Sequence, residues 1–388
     1  MRRSNQRILT THVGSLPRPT ALLEAIVAED RGVAIDRAAY EAALKDAVDD
    51  VVERQVSLGI DVVDDGEYSK RGFSVYANER LAGYETRLAT RRIPWEGSRE
   101  FLAFPDFYRS NRPHGAGTVV QANAMVCTGP VSYKGQAQLR RDLENLRAAV
   151  DAHGAVEAFV PAVSPVDVAG NQRNEYYGSD EEFLYAIAEA MNEEYRAIVD
   201  AGFVVQIDDP QLLTYFVKNP SLDGAAYLKW VAAQIEAINF ALKGVPEDRV
   251  RYHTCYGINM GPRVHEVELK DVLDFILRIN AGGYSFEAAN PRHEHEWQLW
   301  KETKLPEGKV LIPGVITHSS VVVEHSELVA ERILRYAGLV GRENVIAGGD
   351  CGFGTQASAT PEVHPSIVWA KFEALVAGAR IASKVLWG

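Results

Sequence analysis

Eight short runs rich in β-branched residues recur along the chain, most of them followed by a longer segment of helical period. The runs are ILTTHV from Ile8, DVVDDGE from Asp61, EAFVPAVSP from Glu157, FVVQIDDP from Phe203, VRYHTCYG from Val250, YSFEAAN from Tyr284, KVLIPGVITHSS from Lys309 and NVIAGGDCG from Asn344. Strands that alternate with helices bury both faces of a parallel sheet, and eight such units suit closure into a (β/α)8 TIM barrel. An α/β barrel is therefore the expected fold. An open doubly wound sheet is the main rival, but no G-x-G-x-x-G follows the first run, which weakens a dinucleotide-binding reading. A ninth run, TVVQANAMVCTGPV from Thr118, competes for a place; we assign it to an excursion inserted after the second strand, about residues 68–135, within one catalytic barrel domain spanning residues 1–388. Helices are expected near 225–243, 268–279, 326–339 and 364–385.

Composition narrows the function classes. With 46% hydrophobic residues in 388, the chain can bury a large core. Asp plus Glu outnumber Lys plus Arg by 53 to 41, a formal charge of -12, and no long basic run is present to follow a phosphate backbone, so nucleic acid is not an expected partner. No apolar stretch reaches the roughly 18 to 20 residues that span a bilayer, and the opening MRRSNQRILTTHVG lacks the apolar core of a signal peptide. A cytoplasmic location without a membrane partner is expected. Three cysteines, Cys127, Cys255 and Cys351, cannot all pair, which points to metal binding or plain burial.

Reactive side chains gather at the C-terminal ends of the runs: Glu67, Asp208, Asp209, His253, Cys255, Glu287, His318 and Cys351. That rim is where barrels keep their chemistry. Any one acid there also suits a helix cap. His253 and Cys255 are two apart at a strand end and project to the same side, so both reach one ion. Barrel closure brings Glu287, from the next strand, and Cys351, from the last, towards them. One nitrogen, two sulfurs and one oxygen suit tetrahedral zinc, whereas a hard ion wants oxygen alone. Two thiolates and a carboxylate leave such a Zn2+ site at one net negative charge. It would be a weak Lewis acid for carbonyls and a suitable place to ionise a thiol, whose free pKa lies near 8.5.

With these residues in hand, the sequence resembles the cobalamin-independent methionine synthase family, specifically its catalytic C-terminal barrel and the short single-barrel proteins related to it. Five stretches carry the resemblance: TTHVGSLPRP at Thr10 to Pro19, DVVDDGE at Asp61 to Glu67, QIDDP at Gln206 to Pro210, HTCYG at His253 to Gly257 and GGDCGFGT at Gly348 to Thr355, with FEAANPRHEHEW between the last two. The resemblance implies zinc ligation by His253, Cys255, Glu287 and Cys351. It implies that Gly14, Ser15, Glu67 and Asp208 hold the amino and carboxyl groups of homocysteine, and that His318 helps protonate the demethylated donor. Glu287 is expected to yield its place on the metal to the thiol. His12 lies at the rim, either to contact donor or acceptor or to bond only to neighbouring backbone. His293 and His295 read as surface or capping residues, and Cys127 as a buried small side chain.

The implied function is a zinc-dependent methyl transfer to homocysteine, forming methionine, with methyltetrahydrofolate or another methyl carrier as donor. Two departures bear on that donor: the chain has no room for the long enzyme's additional N-terminal barrel, and the family's pterin-stacking Trp has no clear match, although Tyr176 and Tyr177 offer aromatic faces. Three other readings stay open: a different thiol attacking an epoxide or another alkyl donor, a binding protein with structural zinc, and a metal-free decarboxylase related to uroporphyrinogen decarboxylase. The last gives no reason for the His-x-Cys pair and the late Cys. Homo-oligomerisation stays open as well.

Overall fold

The computed structural model describes residues 1–88, 95–110, 123–257, 261–357, 361 and 363–388. Eight parallel strands form the central sheet: β1 (Leu9–Thr10), β2 (Val62–Val63), β5 (Glu157–Val163), β7 (Val204–Asp208), β8 (Val250–Thr254), β9 (Gly283–Phe286), β10 (Val310–Ile316) and β11 (Ile346–Gly349). They run in the order β1-β11-β10-β9-β8-β7-β5-β2, and a parallel bridge from Thr11 to Val62 joins the two ends. The expected TIM-type barrel is present, and each of its strands overlaps one of the eight sequence runs, β9 starting one residue early at Gly283. The ninth run stays outside the barrel sheet: β4 (Asn123–Tyr133) pairs antiparallel with β3 (Leu81–Leu88) and parallel with β6 (Arg173–Asn174) in a separate three-stranded sheet. Residues 118–122 of that run lie outside the described residues.

The expected helices form as Gly224–Ala241, Leu269–Ile276, Ser326–Val340 and Pro365–Trp387. Their ends follow from local chemistry. Asp223 accepts a hydrogen bond from Ala226 N at 2.8 Å, capping the first of them, and Pro365 opens the last, where a missing N–H costs nothing. After β9 the outer layer holds a 3-10 stretch, Glu294–Lys301, in place of an α-helix. Among the described residues no helix is long and apolar enough to cross a membrane.

Inward-facing residues stack in layers because alternate positions on a strand share a face. At the N-terminal end, Val62, Phe159 and Val204 form one apolar patch and Leu9, Val310, Ile312 and Ile346 another, with Met1 packed against both. Above them the interior becomes polar. Arg251 is fully buried, stands 3.7 Å over the Phe159 ring, and donates to Gln206 Oε1 at 2.6 Å, to Thr11 Oγ1 at 3.0 Å and to the His12 carbonyl. Burial pushes its guanidinium down to about 10, still charged at neutral pH. The next inward positions on β7 and β8 are Asp208 and His253, so the reactive rim rests on a cationic floor.

Candidate active site

His253 is the penultimate residue of β8, Cys255 comes directly after that strand, and Cys351 comes just after β11. Their ligand atoms all lie within 4.8 Å of one another, and all three side chains are buried. The Cys255 and Cys351 sulfurs are 3.5 Å apart. The His253 ring is fixed by a 3.0 Å hydrogen bond between Nδ1 and Ser285 Oγ, which leaves buried Nε2 with no protein partner. Burial lowers the His253 pKa to about 3, so the imidazole is neutral, as a metal ligand must be. The hydrogen bond with Cys351, and then burial, push the Cys255 thiol well up when only protein surrounds it. An orphaned imidazole nitrogen beside two thiols in contact fits a soft cation.

Glu287, the expected fourth ligand, stands beside this group and not within it. Its Oε1 accepts from Tyr256 N at 2.9 Å, and its Oε2 accepts from Arg263 Nη2 at 2.8 Å and Asn290 Nδ2 at 2.7 Å. Burial opposes its charge, but Arg263, His318 and the Tyr256 N–H together outweigh that and hold the carboxyl below the ordinary range. On its other side Glu287 forms a second group with His318 and Asp350, again with ligand atoms within 4.8 Å of one another. Both ring nitrogens of His318 lack partners, and burial lowers its pKa to about 4. Asp350 Oδ1 accepts from Ala288 N and Ala289 N at 2.7 and 2.8 Å, which leaves buried Oδ2 free; burial and the Glu287 charge raise its pKa to about 6.

A narrow cavity of about 40 Å³ opens onto the thiols and is lined by Ser15, Glu67 and Asp208 as well as His253, Cys255 and Cys351. Glu67 sits in the left-handed region at φ 57, and Gly14 at φ 130 passes so close that a Cβ there would lie 2.5 Å from Pro161 Cγ and 3.1 Å from Glu67 Oε1. Glu67 Oε2 has no hydrogen-bond partner; Lys70 Nζ approaches it at 3.6 Å while donating to the Pro161 carbonyl at 2.6 Å. Burial, and then the charge of Glu67, raise the Asp208 pKa well above the carboxylate range. Two acids pressed together in this way favour a cationic guest.

The surrounding loops are tied into one piece. Arg18 donates to the Glu67 carbonyl at 2.9 Å, the Lys70 carbonyl at 2.7 Å and the Gly354 carbonyl at 2.6 Å. The start of the excursion closes over the same mouth: Gly72 bridges Gln356, Phe73 N donates to the Thr355 carbonyl at 3.0 Å, and the Phe73 side chain lines the cavity.

Two expectations are corrected here. His12 lies behind the cavity wall: Gly14 N donates to its Nδ1 at 3.2 Å and its Nε2 bonds Gln55 Oε1 at 2.7 Å, so both nitrogens are spent inside the protein. His293 is buried, not superficial, with Nε2 at 2.9 Å from Glu266 and Nδ1 at 3.1 Å from Glu296; these acids overcome burial and raise its pKa to about 9. His295 is exposed and Cys127 buried, as expected. Tyr176 and Tyr177 pack on each other and do not line the cavity; the Tyr177 hydroxyl accepts from Val131 N on the excursion sheet at 2.9 Å. Arg263, Lys70, Phe73 and Asp350 were not singled out in the sequence. Of these only Lys70, three residues after Glu67, and Asp350, beside Cys351, carried a signal by position.

The family described as "Cobalamin-independent synthase, Catalytic domain" matches residues 8–160 and 165–368. The chain belongs to this family. Members similar to it include a methionine synthase of Saccharolobus solfataricus, 26% identical over 346 residues that make up 88% of this chain and 87% of that protein. A methionine synthase of Sulfurisphaera tokodaii is 29% identical over 249 residues, 64% of this chain and 61% of the relative. A 5-methyltetrahydropteroyltriglutamate–homocysteine methyltransferase of Thermotoga petrophila is 25% identical over 373 residues, 92% of this chain and 43% of that protein. The chain thus spans less than two thirds of the length of two of these three. In fold it is similar to the B12-independent methionine synthase of Shewanella sp. W3-18-1, solved with selenomethionine, at a TM-score of 0.73, 21% identity and coverage of 98% and 99% of the two chains. Within the cobalamin-independent synthase fold, His253, Cys255 and Cys351 thus occupy the C-terminal rim on which barrels assemble catalytic residues.

Proposed function

We infer that this protein is a zinc-dependent methyltransferase that moves a methyl group onto the thiol of homocysteine and so forms methionine. One observation carries the reading: the His253, Cys255 and Cys351 donor group and the acidic pair Glu67 and Asp208 open onto the same cavity. The first suits a soft cation, the second an ammonium, and an amino acid with a thiol side chain presents a partner to each.

Zinc, held by His253, Cys255 and Cys351 with Glu287 as fourth ligand, would supply the positive charge that keeps the acceptor sulfur ionised at neutral pH. The protein's own groups do the positioning. Glu67 and Asp208 bind the ammonium through charge-assisted hydrogen bonds, which relieves their mutual repulsion. The Gly14–Ser15 turn faces the carboxylate, and Ser15 lines the cavity. Phe73 and the 355–356 edge exclude water, and the fixed ends of the acceptor aim its sulfur for in-line attack on the donor methyl. His318, neutral and free at both nitrogens, lies behind Glu287, where it can pass a proton towards the departing donor. The donor belongs to the class of methyl carriers, methyltetrahydrofolate among them.

The test is to incubate zinc-loaded protein with homocysteine and, in parallel, methylfolates of differing glutamate number, methylcobalamin and aryl methyl ethers, and to measure methionine. Methionine from at least one donor, lost on Cys351→Ser, is the expected result. No methionine from any donor, with calorimetric binding of some other thiol in preference to homocysteine, would reject the reading.

A further inference from the structure

Glu287 is the end of a buried chain of alternating charge. Arg263 donates to Glu287 Oε2 at 2.8 Å and to Glu266 Oε1 at 2.6 Å, and His293 joins Glu266 at 2.9 Å to Glu296 at 3.1 Å. All five side chains are buried. The chain is also braced. Arg263 has φ 56, a left-handed conformation that a long side chain adopts only when its surroundings enforce it, and its guanidinium lies 5.6 Å from the centroid of the Tyr256 ring. Tyr256 in turn stacks on His293 with centroids 3.9 Å apart and planes 10° from parallel. The N–H of Tyr256, one residue beyond Cys255, holds the other oxygen of Glu287 at 2.9 Å.

The charge balance of this chain is unusual. With Glu287 included there are three anions and two cations. With Glu287 gone, Arg263, Glu266, His293 and Glu296 remain as two cations and two anions, each still paired. A buried ion left without a partner is strongly destabilising, and here neither the departure nor the return of Glu287 strands one. The carboxylate can therefore leave Arg263 for the neighbouring His253, Cys255 and Cys351 group, or return, without leaving an ion of this chain unpaired.

We propose that Arg263 is a positioning residue that receives Glu287 when the acceptor thiol takes its place on the metal. The inference rests on the preceding reading of the site. With zinc bound, Glu287 would give up its one metal bond to the acceptor sulfur, which would bind as thiolate with its proton passing to solvent, and the Arg263–Glu287 ion pair would receive the freed carboxylate. No electrons change hands. Arg263 thus sets how readily the thiol enters, by stabilising the displaced carboxylate and not by touching substrate.

X-ray absorption at the zinc edge of the zinc-loaded protein, with and without homocysteine, tests this together with calorimetric homocysteine affinity. In the wild type, homocysteine replaces one oxygen by one sulfur. In Arg263→Met, zinc stays bound and the oxygen stays in the shell after homocysteine is added, with affinity at least tenfold weaker and the KM for homocysteine raised more than kcat is lowered. Arg263→Lys is intermediate. Glu266→Gln removes the anion that competes for Arg263 and acts oppositely, depleting the oxygen before homocysteine is added. Wild-type exchange and affinity in Arg263→Met overturn the proposal; should that variant not fold, the same result in both Arg263→Lys and Glu266→Gln overturns it. Absence of any sulfur gain in the wild type would reject the methyltransferase reading instead.

Discussion

The sulfurs of Cys255 and Cys351 stand 3.5 Å apart although 96 positions separate the two residues in the chain. Barrel closure alone brings them together, since β8 and β11 are not neighbours in the sheet. Two buried thiols in contact are each other's nearest oxidisable group once a shared cation is removed. After chelation and mild oxidant, titration should find one reactive thiol per denatured chain, Cys127, and three when metal is kept in place. Three free thiols in the oxidised, chelated sample would argue against a shared ion at this pair.

Loss of charge at the acidic pair should weaken the acceptor more than the chemistry. Glu67→Gln and Asp208→Asn each remove one charge-assisted hydrogen bond to an ammonium, worth about 1.5 to 3 kcal/mol, or roughly ten- to a hundredfold in the KM for homocysteine. Zinc content should be unchanged. A thiol that lacks the amino group should discriminate little between wild type and variants, and strong discrimination would count against this assignment.

Gly14 is held where no side chain fits, with φ 130 and a Cβ position 2.5 Å from Pro161 Cγ. Gly14→Ala should cost about 1 to 3 kcal/mol from the backbone conformation alone and shift the Gly14–Ser15 turn away from Glu67. Lower thermal stability together with a raised KM for homocysteine is the expected pair of changes. A variant as stable and as active as the wild type would show that the turn relaxes freely.

His318 has unbonded nitrogens and no close contact with the acidic pair, so its replacement should separate turnover from binding. His318→Asn is expected to lower kcat about a hundredfold or more while homocysteine affinity and metal content stay within a fewfold, in line with the usual contribution of a positioned proton donor. An unchanged kcat would remove His318 from the reaction.

Stability should depend on pH through His293. Its folded pKa is raised to about 9 by Glu266 and Glu296, against an ordinary value near 6.5 in the unfolded chain. The proton is therefore bound more tightly in the folded state. Its contribution, at most about 3 kcal/mol, is complete below pH 6.5 and disappears as pH rises through 9. Denaturant melts of wild type should show this decline, and His293→Gln should flatten it. A slope left intact in the variant would place the proton elsewhere.

The barrel was readable in the sequence because eight runs carry their own strand signal and no pairing partner is needed to see them. The same holds for His253 and Cys255, which share one strand end. What escaped was decided by contacts between segments of irregular backbone. Arg263 lies between the described residues of β8 and the helix at Leu269, where no periodicity points its side chain anywhere, yet it determines where the Glu287 carboxylate rests. His293 and His295 do diverge, as residues two apart should, but the 3-10 stretch that follows has three residues per turn, which sets His293 above Glu296 and turns it inward. At His12 the choice between ligand contact and bonding within the protein was not legible, because Gln55, which occupies the ring, comes from the helix before β2, far off in sequence.

The three carbonyls gathered by the Arg18 guanidinium belong to two loops, one carrying Glu67 and the other continuing from Cys351. Mutational drift in the loop proposed to grip the acceptor's ends is thereby felt at once in the loop proposed to activate its sulfur. New acceptor preferences in this scaffold should consequently arise by swapping both loops as a matched cassette around an untouched arginine, and single-loop grafts should yield proteins that lose metal and substrate together.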